Sequence, residues 1–179
     1  MPKRPTLISI HLILAAFFLP LMLILPLSGS AYIFGWHGSE TETELVVISE
    51  PIPEAEATRD AFFREVFAEH APGYDFDYVR GRPGSYQFRP TTRTFYTART
   101  DDEGNTTITK VVPSLMSRLI ELHKGHGPQF MRWYEGAFGI ALILTALSGL
   151  WLAWTVKKYR KQTIIAFVIG SVLMGLCLV

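Results

Sequence analysis

Between Leu7 and Phe34 the chain carries no charge apart from any proton on His11. That run exceeds the roughly 20 apolar residues a helix needs to cross a bilayer, and helices and closed barrels are the backbones that satisfy their own hydrogen bonds there. Whatever else the chain folds into must be compatible with one end in lipid. A second apolar run extends from Phe138 to Val156 and a third from Thr163 to Val179. The expected organisation is therefore a cytoplasmic N-terminus (1–6), a first span (7–34), an inserted domain (35–129), a second span (130–156), a cytoplasmic loop (157–162) and a third span (163–179).

Small residues at Ser28, Gly29, Ser30 and Ala31 after Lys3 and Arg4 mimic a secretory signal. A signal's apolar region, however, is about 7–15 residues. The first run is longer and holds a histidine, so it reads as an uncleaved anchor. Lys3 and Arg4 on one side, with Lys157, Lys158, Arg160 and Lys161 between the second and third runs, place both segments in the cytoplasm by the positive-inside rule. The inserted domain then faces the periplasm of a bacterial inner membrane. Tyr32, Trp36, Trp133 and Tyr134 mark the outer interface, and Trp151, Trp154 and Tyr159 the inner one.

Between His37 and Gln129 ten Lys or Arg stand against fifteen Asp or Glu, a balance of −5. This excludes nucleic acid as a natural partner, which binds through phosphate neutralisation, and favours cations. The sole cysteine, Cys177, lies in the third run. A disulfide framework, a cysteine metal cluster and a CxxCH haem attachment are excluded within one chain.

Within the insert, SETETE reads as a solvated linker and Glu44–Ser49 as a strand ended by Pro51 and Pro53. Ala57, Ala61, Phe62, Val66 and Phe67 recur at helical spacing, predicting an amphipathic helix over Glu54–His70 closed by Pro72 and Gly73. YDFDYVR, GSYQFRP, RTFYTAR and TTITKVV alternate as strands, the last two joined by a DDEGN turn. Pro113 is expected to start a helix that runs to His123. The expected fold class is a membrane protein with three transmembrane helices and a small inserted periplasmic α+β domain built on an antiparallel sheet.

The histidines are the chemistry-bearing residues. An ionisable residue within a span is functional by default, and His11 lies in the first turns of the first run. His123 and His126 stand at the outer mouth of the second span, His37 at similar depth beyond the first, and His70 reads as a helix C-terminal cap. At about 1.5 Å per residue, His11 and Phe34 are about 35 Å apart along a helix, so His11 and the outer histidines belong to opposite membrane faces. One cofactor cannot join them, whereas two redox centres stacked across the bilayer use both, imidazole being a good axial ligand of haem iron. His11 has no partner ligand at its depth in one chain; a two-fold homodimer supplies a second His11. The pairs Ser28-Gly29 and Ser148-Gly149 remove bulk within spans, for helix packing or for a flat porphyrin. Glu135 is expected either to pair with Arg132 or to hold a histidine or cation.

The order of His11, an apolar helix ending LSGSAYIF, an α+β insert, LHKGHG and a helix ending ALSGLWLAW resembles the PepSY-associated transmembrane family. The resemblance implies a PepSY-like insert, b-type haem on membrane histidines, and inner-membrane reduction of ferric iron or ferrisiderophores. It makes His11 and His123 the leading haem ligands, with His126 next; His37, Glu135, Ser28, Gly29, Ser148 and Gly149 are supporting candidates. Its larger members carry more membrane helices in one chain, a number that a dimer would restore. On this reading electrons come from a separate cytoplasmic donor, a flavin, a flavin reductase or a quinol, because the cytoplasmic segments are too short for a flavin or nicotinamide domain. They leave to periplasmic Fe(III) or a ferric chelate. Two other function classes fit the same chain: a membrane-anchored module that binds a peptide or protease through a sheet edge, and a periplasmic non-haem metal site on His123, His126 and nearby carboxylates.

Overall fold

The computed structural model describes residues 4–178. Ten elements follow in order: α1 (Arg4–Ile33), β1 (Glu40–Ile48), α2 (Glu56–His70), β2 (Tyr78–Arg82), β3 (Ser85–Arg89), β4 (Phe95–Thr100), β5 (Thr106–Pro113), α3 (Leu115–His123), α4 (Gln129–Thr155) and α5 (Lys157–Leu176). They form two compact units, one spanning Met22–Glu135 and the other made of the chain before and after it.

In the first of these, β1 to β5 build one antiparallel sheet in the order β1-β5-β4-β3-β2. β1 starts at Glu40, not Glu44: the acidic stretch expected to be a linker pairs with β5, Glu40 opposite Pro113 and Glu42 opposite Val111. Its side chains are exposed, so alternation gives no sign of it, and a charged rim suits a sheet edge that must not recruit another strand. The β2–β3 hairpin turns on Pro83 and Gly84, with Gly84 at φ +80° as the third position of a type II turn demands. The DDEGN turn forms as expected, with Asp101 Oδ1 accepting from the Glu103 and Asn105 N–H groups.

YDFDYVR is strand only from Tyr78 onward. Tyr74 and Phe76 do alternate inward, but they pack on Phe67, with ring centroids 4.9 and 6.1 Å away, while Asp75 is tied to Arg64 of α2. The segment is therefore held by side chains rather than by a ladder. α2 covers this face of the sheet with Phe63 and Phe67, which join Phe76, Tyr86, Phe88, Tyr96, Ala98 and Ile108 in the core. Phe63, absent from the expected helical stripe, is fully buried and meets Phe88 edge-to-face at 4.8 Å. α3 lies against β5 on the opposite face. It begins two residues later than expected: Pro113 closes β5, and Ser114 is the N-cap, its Oγ accepting from Ser117 N–H.

In the second unit, α1 and α4 meet through Phe18, Leu21, Phe138 and Ala141, with the Phe18 and Phe138 rings 5.7 Å apart. Most of their other apolar side chains are exposed, as lipid-facing side chains are. Two helical stretches, Pro5–Ile33 and Gln129–Thr155, are long and apolar enough to cross a membrane. α5 is not a third by that measure: its first turn and a half carries Lys157, Lys158, Arg160 and Lys161, which shortens the apolar part. Lys3 and Val179, which the sequence reading used for orientation and for the last span, lie outside the described residues.

Candidate functional site

Each Ser-Gly pair receives an imidazole. His11 on α1 sits against α4, its Nδ1 3.0 Å from Ser148 Oγ, and a Cβ built on Gly149 would stand 3.6 Å from its Cε1. His123, the last residue of α3, sits against α1: Nδ1 is 2.9 Å from the Leu25 carbonyl oxygen, and a Cβ on Gly29 would stand 3.0 Å from Cε1. At Gly29 the missing side chain makes room for the histidine ring, a use of that glycine that neither helix packing nor porphyrin access describes, whereas at Gly149 a methyl would meet the ring at ordinary contact distance. The two serines behave alike as well, Ser28 donating to the Leu25 carbonyl and Ser148 to that of Thr145, each 3.0 Å away and three residues back.

These contacts determine which ring nitrogen carries the proton. A carbonyl oxygen only accepts, so His123 donates from Nδ1. The single proton of Ser148 is committed to Thr145, so its oxygen accepts from His11 Nδ1. In the neutral form of each ring the lone pair is then on Nε2, the nitrogen with which such a ring ligates a metal while its N–H is held by a neighbouring acceptor. The pocket beside His123, of about 270 Å³, is lined by Ser28, Gly29, Tyr32, Ile33, Ile120 and Lys124.

His126 is held elsewhere. Its Nδ1 donates to Glu121 Oε2 at 2.8 Å, and the same carboxylate accepts from Thr91 Oγ1 at 2.6 Å, Arg89 Nη1 at 3.3 Å and, on its other oxygen, Lys124 Nζ at 3.0 Å. Burial pushes the Glu121 carboxyl up, but the hydrogen bonds from Thr91, His126 and Lys124 outweigh it and hold the group down at about 2. Burial of Arg89, whose side chain is 7% exposed, lowers its own value in turn. This network joins β3, the following loop and α3. The sequence reading missed Glu121 and Arg89 because their relation, 32 residues apart, is created by the sheet.

His37 is exposed and rests edge-on against Tyr32, centroids 4.7 Å apart. His70 ends α2 as expected, near Glu69. Glu135 does not form the expected ion pair with Arg132 among the described residues. Arg132 instead reaches Gln129 at 3.5 Å and the Tyr78 ring at 5.6 Å, and Glu135 Oε1 is buried without a hydrogen-bond partner. No group of three or more His, Cys, Asp or Glu side chains converges as a metal site among the described residues. That leaves the non-haem metal reading without a ligand set there.

A histidine-bearing pair of apolar helices with an α+β domain inserted between them defines a membrane protein. The chain matches the family described as the PepSY-associated TM region over residues 8–171, and it belongs to that family. No curated protein and no solved structure matches it.

Proposed function

We propose that the protein is a haem-containing inner-membrane electron-transfer protein that passes electrons from a cytoplasmic donor to a periplasmic acceptor, with ferric iron as the leading candidate. One observation carries the reading: His11 and His123 each have Nδ1 committed to a fixed acceptor and Nε2 free, on separate elements, each against a Ser-Gly notch. Hydrogen bonding at Nδ1 fixes the ring plane and raises the basicity of the ligating nitrogen. The donor set fits b-type haem, which supplies one-electron chemistry when bound; the protein supplies ligands, access and local polarity.

In this reading His11 and His123 would hold haem at two levels of the first apolar helix, near its beginning and beside its last turns. A homodimer supplies the second ligand at the His11 level. The inserted domain is periplasmic because Lys157, Lys158, Arg160 and Lys161 hold the α4–α5 connection in the cytoplasm. The apolar part of α5 completes a third span. A visible absorption spectrum of the purified protein, oxidised and then dithionite-reduced, tests the reading. Bis-imidazole haem is expected in the wild type, with less in His11→Ala and in His123→Ala, and a colourless wild type from haem-replete cells refutes it.

A further inference from the structure

The sheet face turned away from α2 is only partly covered. At one end α3 packs over it, burying Phe95, Val111 and Pro113 on this face. At the other end it is open, and there the register sets two rows of side chains beside each other. Arg80 stands opposite Gln87 and Gln87 opposite Thr97; Arg82 stands opposite Ser85 and Ser85 opposite Arg99. Residues paired across strands, or two apart along one, share a face. A cavity of about 270 Å³ lies here, lined by Arg80, Ser85, Gln87, Thr97 and Arg99.

Every side chain in that lining offers a hydrogen-bond donor, the two guanidiniums five N–H groups each, and none is a carboxylate. Elsewhere in the domain Arg59, Arg64 and Arg89 each approach an acid. Arg80, Arg82 and Arg99 have no ion-pair partner among the described residues, although acids outnumber bases by five in the insert. The sheet order explains why. Glu40, Glu42 and Glu44 lie on β1, the far edge, and strands are spaced about 4.8 Å, so Arg80 and Arg82 on β2 are about 19 Å from that strand and Arg99 on β4 about 10 Å, all beyond ion-pair distance. Two of the three arginines thus stand on one edge strand and the three glutamates on the other. Leaving three arginines unpaired in an acidic domain raises the potential of this one spot for an anion from solution.

We propose that this face is a binding site for a small soluble polyanion, specifically a multi-carboxylate of the kind that chelates ferric iron. Guanidinium forks bind carboxylates bidentately, and Ser85, Gln87 and Thr97 supply neutral donors between them. The inference deepens the proposed electron transfer, on which it rests for the role of the ligand: the acceptor is an anionic ferric chelate.

Gallium(III) citrate, trivalent and not reducible under these conditions, is the probe, titrated calorimetrically into the full-length protein in neutral detergent at low salt. Wild type is expected to bind it, and Arg80→Gln/Arg99→Gln, which removes both guanidiniums that line the cavity, to bind about tenfold or more weakly, given the worth of charge-assisted hydrogen bonds. Lys110→Gln, which removes one charge at an exposed position of β5 on the other side of the sheet, is expected to bind like wild type. An unchanged thermal midpoint shows that the variants are folded. Equal binding by the double variant and wild type overturns the site, as does an equal loss in Lys110→Gln. Displacement of the probe by an equal concentration of inorganic phosphate overturns the multi-carboxylate assignment. The electron-transfer reading fails separately: binding of the gallium chelate that depends on the arginines, in a protein without haem, keeps the site and removes the reductase.

Discussion

Gly29→Ala and Gly149→Ala are the same chemical change in the same three-residue context, Leu-Ser-Gly, yet the structure separates them. A methyl at Gly29 would sit 3.0 Å from His123 Cε1, 3.4 Å from Nε2 and 3.5 Å from Nδ1, whereas one at Gly149 meets His11 Cε1 at an ordinary 3.6 Å. In the first case the ring must retreat by about 0.4 Å, and the Nδ1–Leu25 hydrogen bond of 2.9 Å lengthens or breaks. Losing that bond costs about 0.5–1.5 kcal/mol, while replacing a helical glycine with alanine returns about 1 kcal/mol. Gly29→Ala is therefore close to neutral in overall stability and still unseats His123. Gly149→Ala keeps its helix gain and leaves His11 in place. Nitrogen NMR of the histidine rings reads the tautomers without any cofactor: His123 should lose its single Nδ1–H signature in Gly29→Ala, and His11 should keep its own in Gly149→Ala. Haem per chain should fall only in the former. Unchanged His123 tautomer and haem content in Gly29→Ala, or equal disturbance by both substitutions, would refute the reasoning.

Glu121→Ala removes the carboxylate from a buried arginine and is expected to destabilise the inserted domain by about 3 kcal/mol, against little for Lys124→Ala at the exposed rim, as measured by denaturant unfolding. Glu121 is held at about 2 against an ordinary 4.5, so its contribution is present above pH 4.5 and disappears as pH falls towards 2, an acid-limb loss of up to about 3 kcal/mol that Glu121→Gln should abolish. Tyr74 has its hydroxyl buried beside the Tyr96 backbone without a close hydrogen bond, and burial, outweighing that backbone's opposing effect, raises its pKa well above 10, so its contribution is full below pH 10 and is lost as pH rises past that value. Tyr74→Phe should be neutral or stabilising at pH 7 and should shift alkaline unfolding upward; a loss of about 1 kcal/mol or more would mean that the hydroxyl is bonded after all. Alkaline phosphatase fused after Asp102 should be active and after Lys158 inactive, and the reverse pattern would overturn the orientation.

Much of the architecture is local in origin. The uncharged run of α1 and the apolar run of α4 are set by composition, because lipid leaves a backbone little choice but helix. The alternation in β3, β4 and β5 and the Pro-Gly and Asp-Gly turns are likewise written within a few residues of where they act. The elements that sequence misplaced are those whose state is decided by a partner. Glu40–Thr43 carries no strand pattern and becomes strand because β5 offers it a ladder; Tyr74–Asp77 has the pattern and is not strand because α2 takes its side chains first.

The site divides along the same line. Sequence singled out His11, His123 and both Ser-Gly pairs, since a histidine in lipid and a notch in a helix are conspicuous one at a time. That His11 belongs with Ser148 and His123 with Leu25 and Gly29, over separations of 137 and 98 residues for the hydrogen bonds, was decided only when the helices packed. With those contacts came the tautomers, because a ring nitrogen's proton is placed by the acceptor in front of it. The arginines of β2 and β4 are ordinary surface residues in the sequence; the antiparallel register alone makes them neighbours and keeps the acids of β1 out of their reach.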